Sequence, residues 1–557
     1  MAFMVSMLVE NMARTAHHSW FSAPNERGTW DLIISCLLTL VVCVWSALHL
    51  NVPTEDSRLR NRNVKRLRWI LLGIFAPELV VSTAFAQFLT AKWLCREIRK
   101  DVKWRKQEVQ RALESIRQGC YFAVMGGCRI QTGDCIAGNP RLSLTAEGVR
   151  LLSFLGRLPE IQEKQIKDKS KADGLAKSLV VLQAGWMILQ TIARVQQHLP
   201  VSLLEINTIG HVICAFALYA LWWSKPLDIK DPVLIRREEW MDKFVSLMWM
   251  CSPICWNKDD YISEIRCMNY LPPAQRDVLK PHKTHFSVGS IGARDPKKFI
   301  GPLEEFQVDA DGQQLDHDVS YVISGTTINV AKEHEIFFQI QKSHQGLQHS
   351  KNYCRRALKD CDTHEPLPEC AIERWRLANE LVDELWIECE KRPDYSDFFF
   401  TTSSLGIFVG ELIYVSDHIP NLPSLSYLGS VNVHRDMLKS VLAFAGSAYG
   451  GLHLSAWNDY FPTQEERWLW ISCSLATGAS GIILALFFLA TQKIRAFENL
   501  EHFIRNSRTL TWMGASVLGP LFLVCRVFIV VEAFISLRRA PAEIYKTPEW
   551  SSYLPHL

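Results

Sequence analysis

The residue with the most unusual surroundings in this sequence is Glu78. It lies in the apolar stretch IFAPELVV, residues 74 to 81, directly after the helix-weakening Pro77. A carboxylate at the centre of a membrane-spanning helix costs about 2.5–3.5 kcal/mol, so it needs a partner, a proton or a function. Proton transfer is one such function, because a desolvated carboxyl group stays protonated and can donate its proton.

Other polar side chains lie in neighbouring apolar segments, and at about 100° per residue several share a helix face. For a single Gln, Ser or Thr we expect a structural role, since hydrogen bonds across helices contribute about 0.6–2 kcal/mol each. Ionisable residues on the faces of several segments instead favour an internal polar chamber. The candidate acids and bases are Glu78, Glu205, Asp31, Glu411, His211 and His453. The candidate wall residues are Trp45, His49, Trp186, Gln190, Arg194, Tyr449 and Trp457, and Arg526 and Glu532 add charges in the last segment.

The elements that must position these residues are long apolar windows. Seven windows of about 19–25 residues are long enough to cross the hydrocarbon layer. They are 31–50, 69–91, 175–198, 201–223, 438–457, 468–490 and 510–536. An eighth, 398–416, is more polar and could be a span, a re-entrant segment or a buried soluble helix. The sequence predicts an all-α polytopic membrane protein with about 7–8 transmembrane helices and a mixed α/β polar insert between the fourth span and the C-terminal spans.

These windows divide the chain into regions. They are an N-terminal tail at 1–30, spans one and two at 31–91, a polar loop at 92–174, a helical hairpin of spans three and four at 175–223, a polar insert at 224–397, a C-terminal membrane bundle at 398–536 and a C-terminal tail at 537–557. Only residues 198–200 separate spans three and four, which predicts a tight antiparallel turn. The insert contains the strand-like VSYVISGTTINV and the amphipathic AIERWRLANELVDELWIECEK. In span five, a face of small residues is suited to close helix packing: Ser440, Ser447, Gly451, Ser455 and Asn458.

Basic residues collect beside the spans and not in one nucleic-acid-like patch, and the formal charge is only +3. The stretch RLRNRNVKRLR at 58–68 should be cytoplasmic by the positive-inside rule, which makes the N-terminus lumenal. The equally basic KWLCREIRKDVKWRK at 92–106 follows span two. Both ends of one span cannot obey the rule, so either the longer loop ignores it or Pro77 breaks span two into a re-entrant element. The basic loop KIRAFENLEHFIRNSR predicts a lumenal C-terminal tail, and the start lacks the basic n-region of a cleaved signal peptide.

Several chemistries are disfavoured. The sixteen cysteines include five inside spans and no paired knuckles at zinc spacing. The acids of DDYISE at 259–264 and DADGQQLDHD at 309–318 lack the registers of magnesium and calcium motifs. No phosphate-binding or nucleophile-elbow motif is present in the sequence. We therefore expect no metal, no cofactor, no nucleotide and no nucleic-acid partner.

Six stretches together resemble a large fungal family of multi-pass membrane proteins. They are GTWDLIISCLLTLVVCVWSALHLNVP at 28–53, IFAPEL at 74–79, DKSKADGLAKSLVVLQAGWMILQTIAR at 168–194, LPVSLLEINTIGHVICAFALYALWWSKPLD at 199–228, AYGGLHLSAWNDYFPTQEERWLW at 448–470 and CRVFIVVEAFISLRRAPAEIYKTPEWSSYLPHL at 525–557. This family includes the membrane-bound terpene cyclases of fungal meroterpenoid pathways, of the type found in ascofuranone biosynthesis. The chain resembles these members most. The resemblance covers all seven windows, and the polar insert is the looser part.

The resemblance implies an isomerase-like enzyme of secondary metabolism that cyclises the prenyl chain, often epoxidised, of a lipophilic prenylated aromatic or polyketide. On that reading Glu78 would open the epoxide as a Brønsted acid, with Glu205, Asp31 and Glu411 as competing donors. Aromatic faces at Trp45, Trp186, Tyr449 and Trp457 would stabilise the carbocation, and His211 or His453 would accept the final proton. The expected location is the endoplasmic reticulum or another endomembrane. The alternatives are an ion-coupled transporter or a non-catalytic membrane scaffold.

Overall fold

The structure, a computed structural model, describes residues 26–53, 59–104, 113–132, 141–158, 171–227, most of 229–251, 432–493 and 508–549. Between 252 and 431 it describes short strands, scattered residues from 377 to 392 and the segment 418–421. The helices of these parts are α1 (Thr29–Ala47), α2 (Leu59–Phe75), α3 (Pro77–Trp104), α4 (Leu113–Val124), α5 (Ala146–Phe154), α6 (Lys171–Gln196), α7 (Leu203–Trp222), α8 (Met241–Cys251), α9 (Asn432–Leu454), α10 (Gln464–Lys493) and α11 (Arg508–Ile535).

Within the part of the chain that the structure describes, four helical segments are long and apolar enough to cross a membrane. They are Thr29–Ala47, Leu203–Trp222, Gln464–Phe487 and Ser516–Arg539, and the bent pair α2 and α3 would make a fifth. The mostly helical, membrane-compatible fold is therefore confirmed, whereas the count of seven to eight spans is not. Helices α6 and α9 occupy the third and fifth windows but are not among the four. The uncertain window 398–416 forms strands where it is described, so it is not one continuous spanning helix.

The outer surface of the bundle is apolar, as a bilayer requires. On α1 the exposed residues Trp30, Ile34, Val41 and Trp45 recur at helical spacing along one side. Helices α6, α10 and α11 carry similar exposed stripes. Since water would penalise so large an apolar surface, lipid is the environment that this surface fits.

Helices α1 and α7 run parallel and pack against each other. The Cys36 side chain of α1 hydrogen-bonds to Thr208 of α7, and ten residues further on Ser46 is 2.6 Å from the Tyr219 hydroxyl. Both helices therefore end on the same side of the bundle, which we call the sheet end. Helix α6 precedes α7 through a tight turn in which His198 has φ 55°, as the short connection predicts.

Helices α2 and α3 form an elbow, residues 59–104, in which the chain direction changes by 112°. Proline has no amide hydrogen and disfavours a helical residue before it, so α2 ends at Phe75 and α3 restarts with Pro77 in its first position. Of the two alternatives that the sequence left open for span two, the structure shows the break at Pro77.

Contacts with α1 and α7 show the path of the elbow. The Arg66 guanidinium of α2 lies 4.0 Å above the Trp45 ring, close to the sheet end. The Ile74 carbonyl oxygen is 2.9 Å from Nε2 of His211, in the middle of α7. Gln87 of α3 then accepts a hydrogen bond of 3.1 Å from Trp222, at the sheet end again. The chain thus enters and leaves the elbow at the sheet end. Glu78 lies near the tip of the elbow, at the bend between α2 and α3.

A small mixed α/β unit covers the sheet end. Its four-stranded sheet has the order β10 (Val415–Ser416), β2 (Arg141–Leu144), β1 (Cys128–Gln131), β3 (Val233–Ile235). In its core Asp101 of α3 is buried against Arg150, Ser153 and Arg392. Further strands are β4 (Cys267–Tyr270), β5 (Phe286–Ser287), β6 (Asp318–Ile323), β7 (Thr326–Ala331), β8 (Phe338–Gln341) and β9 (Gly406–Phe408), in three-stranded sheets ordered β8-β4-β9 and β5-β6-β7. The β6–β7 hairpin and the amphipathic helical residues near 377–391 confirm the mixed insert.

Helices α9 and α10 cross at very short distance. A Cβ added at Gly450 would lie 2.3 Å from the Gly478 nitrogen, and one at Gly481 would lie 2.5 Å from Oγ of Ser447. The predicted small-residue face is therefore partly right, because Ser447 takes part in the crossing. Gly451 does not, since nothing lies within 4 Å of its added Cβ.

Candidate functional site

The tip of the elbow carries a buried ion pair. The Arg526 guanidinium of α11 donates to Oε1 of Glu78, and both residues are only 2% exposed. Glu78 also lies in the first turn of the 28-residue α3, where the helix dipole favours negative charge. Of the partner, proton or function that a buried carboxylate needs, the structure supplies a charge partner for Glu78.

Four further side chains surround this pair and, with it, form what we call the Glu78 cluster. They are Asn207 and His211 of α7 and Tyr449 and His453 of α9. The Tyr449 ring lies 4.0 Å from the Arg526 guanidinium carbon. Its hydroxyl is 3.4 Å from Oδ1 of Asn207 and 3.4 Å from Nδ1 of His211. Elbow, α7, α9 and α11 thus each contribute to one buried polar cluster.

His211 occupies an unusual position between two backbone carbonyls. Nδ1 is 2.9 Å from the Asn207 oxygen and Nε2 is 2.9 Å from the Ile74 oxygen. The Ile74 oxygen is available because the helix breaks two residues later. A neutral imidazole has one N–H, so only the imidazolium can donate to both carbonyls. One ring N–H of His211 therefore donates to one of these carbonyls, and the other carbonyl could accept from a second N–H if the ring takes up a proton.

His453 differs in its second partner. Its Nδ1 is 2.8 Å from the Tyr449 carbonyl oxygen, but its Nε2 faces the side-chain amide of Asn207 at 3.3 Å. An amide can present either its oxygen or its NH₂ group, and Nδ2 of Asn207 has no partner among the described residues. The neutral form of His453 therefore fits this position.

The cluster retains unused polar atoms and a little space. Within the described residues Oε2 of Glu78 and Nε of Arg526 have no hydrogen-bond partner. A cavity of about 20 Å³ lies between α1, the elbow and α7, with Cys43, Gly73, Pro77, His211 and Cys214 in its lining. This volume is enough for about one water molecule. The cavity beside the cluster is therefore far smaller than a ligand-sized pocket.

The described residues contain no group of three or more His, Cys, Asp and Glu side chains that could hold a metal ion.

Two predicted acids serve as helix caps instead. Glu205 accepts from the Ser202 amide and hydroxyl, each at 2.9 Å, and from Arg27 at 2.6 Å. This is a capping box at the start of α7. Asp31 is exposed and accepts from the Gly28 amide at 2.9 Å. Glu205 and Asp31, the predicted competing donors, thus lie at helix starts, outside the Glu78 cluster, and their role as donors stays a prediction. Glu411 lies outside the described residues.

Most of the aromatic side chains that were predicted to line the chamber lie on the outer surface of the bundle. Trp45, Trp186 and Trp457 are 52%, 48% and 42% exposed, so they do not line the cluster. Of the predicted aromatic groups, Tyr449 alone belongs to the Glu78 cluster. In a membrane bundle, Trp side chains favour the two interfaces, where the ring meets both lipid and water. Helical spacing identified the face of each helix but not which face points to lipid.

Arg194 links the C-terminal segment to the α6–α7 turn through hydrogen bonds to backbone carbonyls. Its buried guanidinium donates to the carbonyl oxygens of Pro200 at 2.7 Å, Ile544 at 2.9 Å and Lys546 at 2.6 Å. It thereby fixes the C-terminal segment against the α6–α7 turn. Gln190, on the same helix, is half-buried and outside the Glu78 cluster.

His49 belongs to a second buried polar group, which the sequence did not reveal. The Lys225 ammonium donates to the His49 carbonyl at 2.5 Å, to Oδ1 of Asn51 at 2.9 Å and to Oε1 of Gln87 at 2.7 Å. Trp222 lies beneath it, 4.7 Å from ring centroid to Nζ. Burial lowers the pKa of the Lys225 amine well below its ordinary value. A lone Lys just after a span resembles an interfacial anchor, so no signal in the sequence pointed to its burial.

Over its whole length, residues 1–557, the chain matches the family described as "Family of unknown function (DUF8562)". No curated protein and no solved structure matches it.

Proposed function

The chain belongs to the DUF8562 family, whose function is unknown, and we propose from its own residues that it is a membrane-bound, metal-independent terpene cyclase. Its substrate would be a lipophilic prenylated aromatic or polyketide with an epoxidised prenyl chain. The product would be an isomer within a fungal meroterpenoid pathway of the endoplasmic reticulum or another endomembrane.

The observation that carries the proposal is the convergence of Glu78, His211, Tyr449 and Arg526 near the tip of the elbow. All four are at most 5% exposed, inside a bundle whose surface fits lipid. Buried ionisable groups in membrane helices are costly and are commonly retained for function. A substrate dissolved in the bilayer can reach such a cluster without crossing water.

The geometry supports roles opposite to those expected from the sequence. His211, held by two carbonyls, would donate a proton to the epoxide oxygen as the C–O bond breaks. The resulting carbocation is attacked by a prenyl double bond, which forms the ring bond, and the Tyr449 face can stabilise the cation. Loss of a proton to the unpartnered Oε2 of Glu78 ends the reaction, and transfer of this proton to His211 restores the cluster. No atom is gained or lost overall.

The cluster has too little space for such a substrate, so substrate entry requires a movement of the protein. Ligand pockets for such molecules measure about 300–1,000 Å³, whereas the cavity beside His211 measures about 20 Å³. The elbow is the element we assign to this movement, because it enters and leaves at one end and is not held as a through-going span. The proposal therefore includes displacement of α2 from α7 when substrate enters.

The test uses microsomes with the full chain and an epoxyfarnesyl phenol, with products followed by mass spectrometry. A new isomer of unchanged mass is expected for the unmodified protein and not for Glu78→Gln. Glu205→Gln is the matched control, since it also removes a buried carboxylate paired with Arg but lies at a helix start. At equal expression this control should retain the product.

An isomer that persists in Glu78→Gln would remove Glu78 from the reaction. Equal loss in both variants would mean that folding, not chemistry, was measured. No isomer from a panel of prenylated phenols would refute the cyclase.

A second candidate is ion-coupled transport, which the elbow favours. A broken helix with a carboxylate at the break near mid-membrane is a recurrent ion-site geometry in carriers. If microsomes give no isomer, proton flux into vesicles should depend on the protein and be abolished by Glu78→Gln.

A further inference from the structure

The two arms of the elbow both carry exposed basic residues at the sheet end. On α2 these are Lys65 and Arg68, and Arg66 lies beside them over the Trp45 ring. On α3 they are Lys92 and Arg96, one helical turn apart and so on one face. We call these five residues the elbow's basic surface.

Their depth follows from the neighbouring aromatic residues. Trp45 and Trp223 are exposed near the ends of α1 and α7, where a membrane helix places Trp at the lipid–water interface. Arg66 is stacked on the first of these rings. Lys92 lies five residues beyond Gln87, about 7 Å along the axis of α3. The headgroup layer is about 5–8 Å thick on each side of the hydrocarbon, so Arg66 and Lys92 lie within it, and Arg96, about 6 Å further along α3, lies on its aqueous side.

Among the described residues, little negative charge opposes this surface. Glu97 pairs with Arg96 at 3.3 Å, but Arg96 remains 65% exposed in its side chain. Among the described residues Lys65, Arg68 and Lys92 have no carboxylate partner. Unpaired cations at headgroup depth on two adjoining helices are complementary to anionic phosphates.

We propose that this basic surface binds the headgroups of anionic phospholipids in a single leaflet. The elbow makes this possible, because a straight second span would place its two basic ends in opposite leaflets. The leaflet is the cytoplasmic one by the positive-inside rule, which also places the small α/β unit on that side. The proposal is independent of the cyclase.

The test reconstitutes the full chain into vesicles of phosphatidylcholine mixed with phosphatidylserine, re-extracts it in mild detergent and quantifies retained lipid by mass spectrometry. The unmodified protein should retain phosphatidylserine in excess of its bulk fraction. Lys65→Gln with Arg68→Gln, and separately Lys92→Gln with Arg96→Gln, should each reduce this preference, by about fivefold per charge removed.

The matched control is Arg539→Gln with Lys546→Gln, which removes two exposed positive charges at the opposite end. It should leave the preference unchanged. An unchanged preference in both elbow variants, or an equal fall in the control, would overturn the proposal, since binding would then follow net charge alone. Arg68→Lys keeps the positive charge and should preserve the preference for phosphatidylserine. This variant separates a charge effect from misfolding.

Discussion

Replacing Glu78 by Leu should destabilise the protein by about 3–5 kcal/mol, because it leaves the buried Arg526 guanidinium without its charge partner. Both side chains are 3% exposed or less, so water cannot compensate for the loss. Arg526→Met should cost a similar amount, since the carboxylate already has one unpartnered oxygen among the described residues.

The double variant Glu78→Leu with Arg526→Met should behave differently. Replacing a buried ion pair by apolar residues of similar volume is often neutral or stabilising. Its stability should therefore lie close to that of the unmodified protein and well above the sum of the single changes. Unfolding in mixed detergent, followed by Trp fluorescence, measures all four corners of this cycle.

A double variant as unstable as the sum of the single variants would refute this account of the ion pair. The same double variant also separates stability from chemistry. If the Glu78 cluster is catalytic, the double variant should fold and yet form no cyclised product.

Three other features can be tested with further variants. Gly450→Ala should cost about 1–3 kcal/mol, because its Cβ would lie 2.3 Å from a backbone nitrogen of α10, whereas Gly451→Ala meets open space and should be neutral or slightly stabilising in the same thermal unfolding assay. Lys225→Met removes the hydrogen bonds that three oxygens receive from the Lys225 amine and should destabilise the protein at neutral pH. In the unmodified protein the pKa of Lys225 is lowered, so up to the ordinary pKa of 10.5 the unfolded state binds more protons than the folded state. The free energy of unfolding should therefore rise with pH towards that value. Unfolding measured at pH 7 and pH 9 should show this rise in the unmodified protein and not in Lys225→Met. Glycosylation acceptors inserted at 54–57 and at 105–112 should report the same side of the membrane, and modification of only one would contradict the elbow.

The sequence predicted those features that depend on local chemistry. Pro77 made a helix break one of the two alternatives for span two, and residues 198–200 are too few for anything but a tight turn. The face of α9 that carries Tyr449 and His453 also followed from helical periodicity. These inferences needed no knowledge of neighbouring helices.

The remaining features depend on which residues meet across the bundle. The partner of Glu78 is 448 positions away, and no local pattern connects the two. Trp45 and Trp186 share helices with polar residues, but their exposure is set by where lipid lies. Lys225 is buried because three separate segments bring oxygens to it. Spacing along one helix cannot supply such information.

The wide separation of Glu78 and Arg526 also constrains how the protein is made. At about 5–20 residues per second, synthesis of the intervening 448 positions takes about 22–90 s. During this time the ribosome has produced the elbow but not the cation that neutralises its carboxylate. The elbow must therefore wait at the interface or enter the bilayer protonated, and it docks only when the last helix arrives. Chains truncated before α11 should accumulate with the elbow undocked and become substrates for membrane quality control.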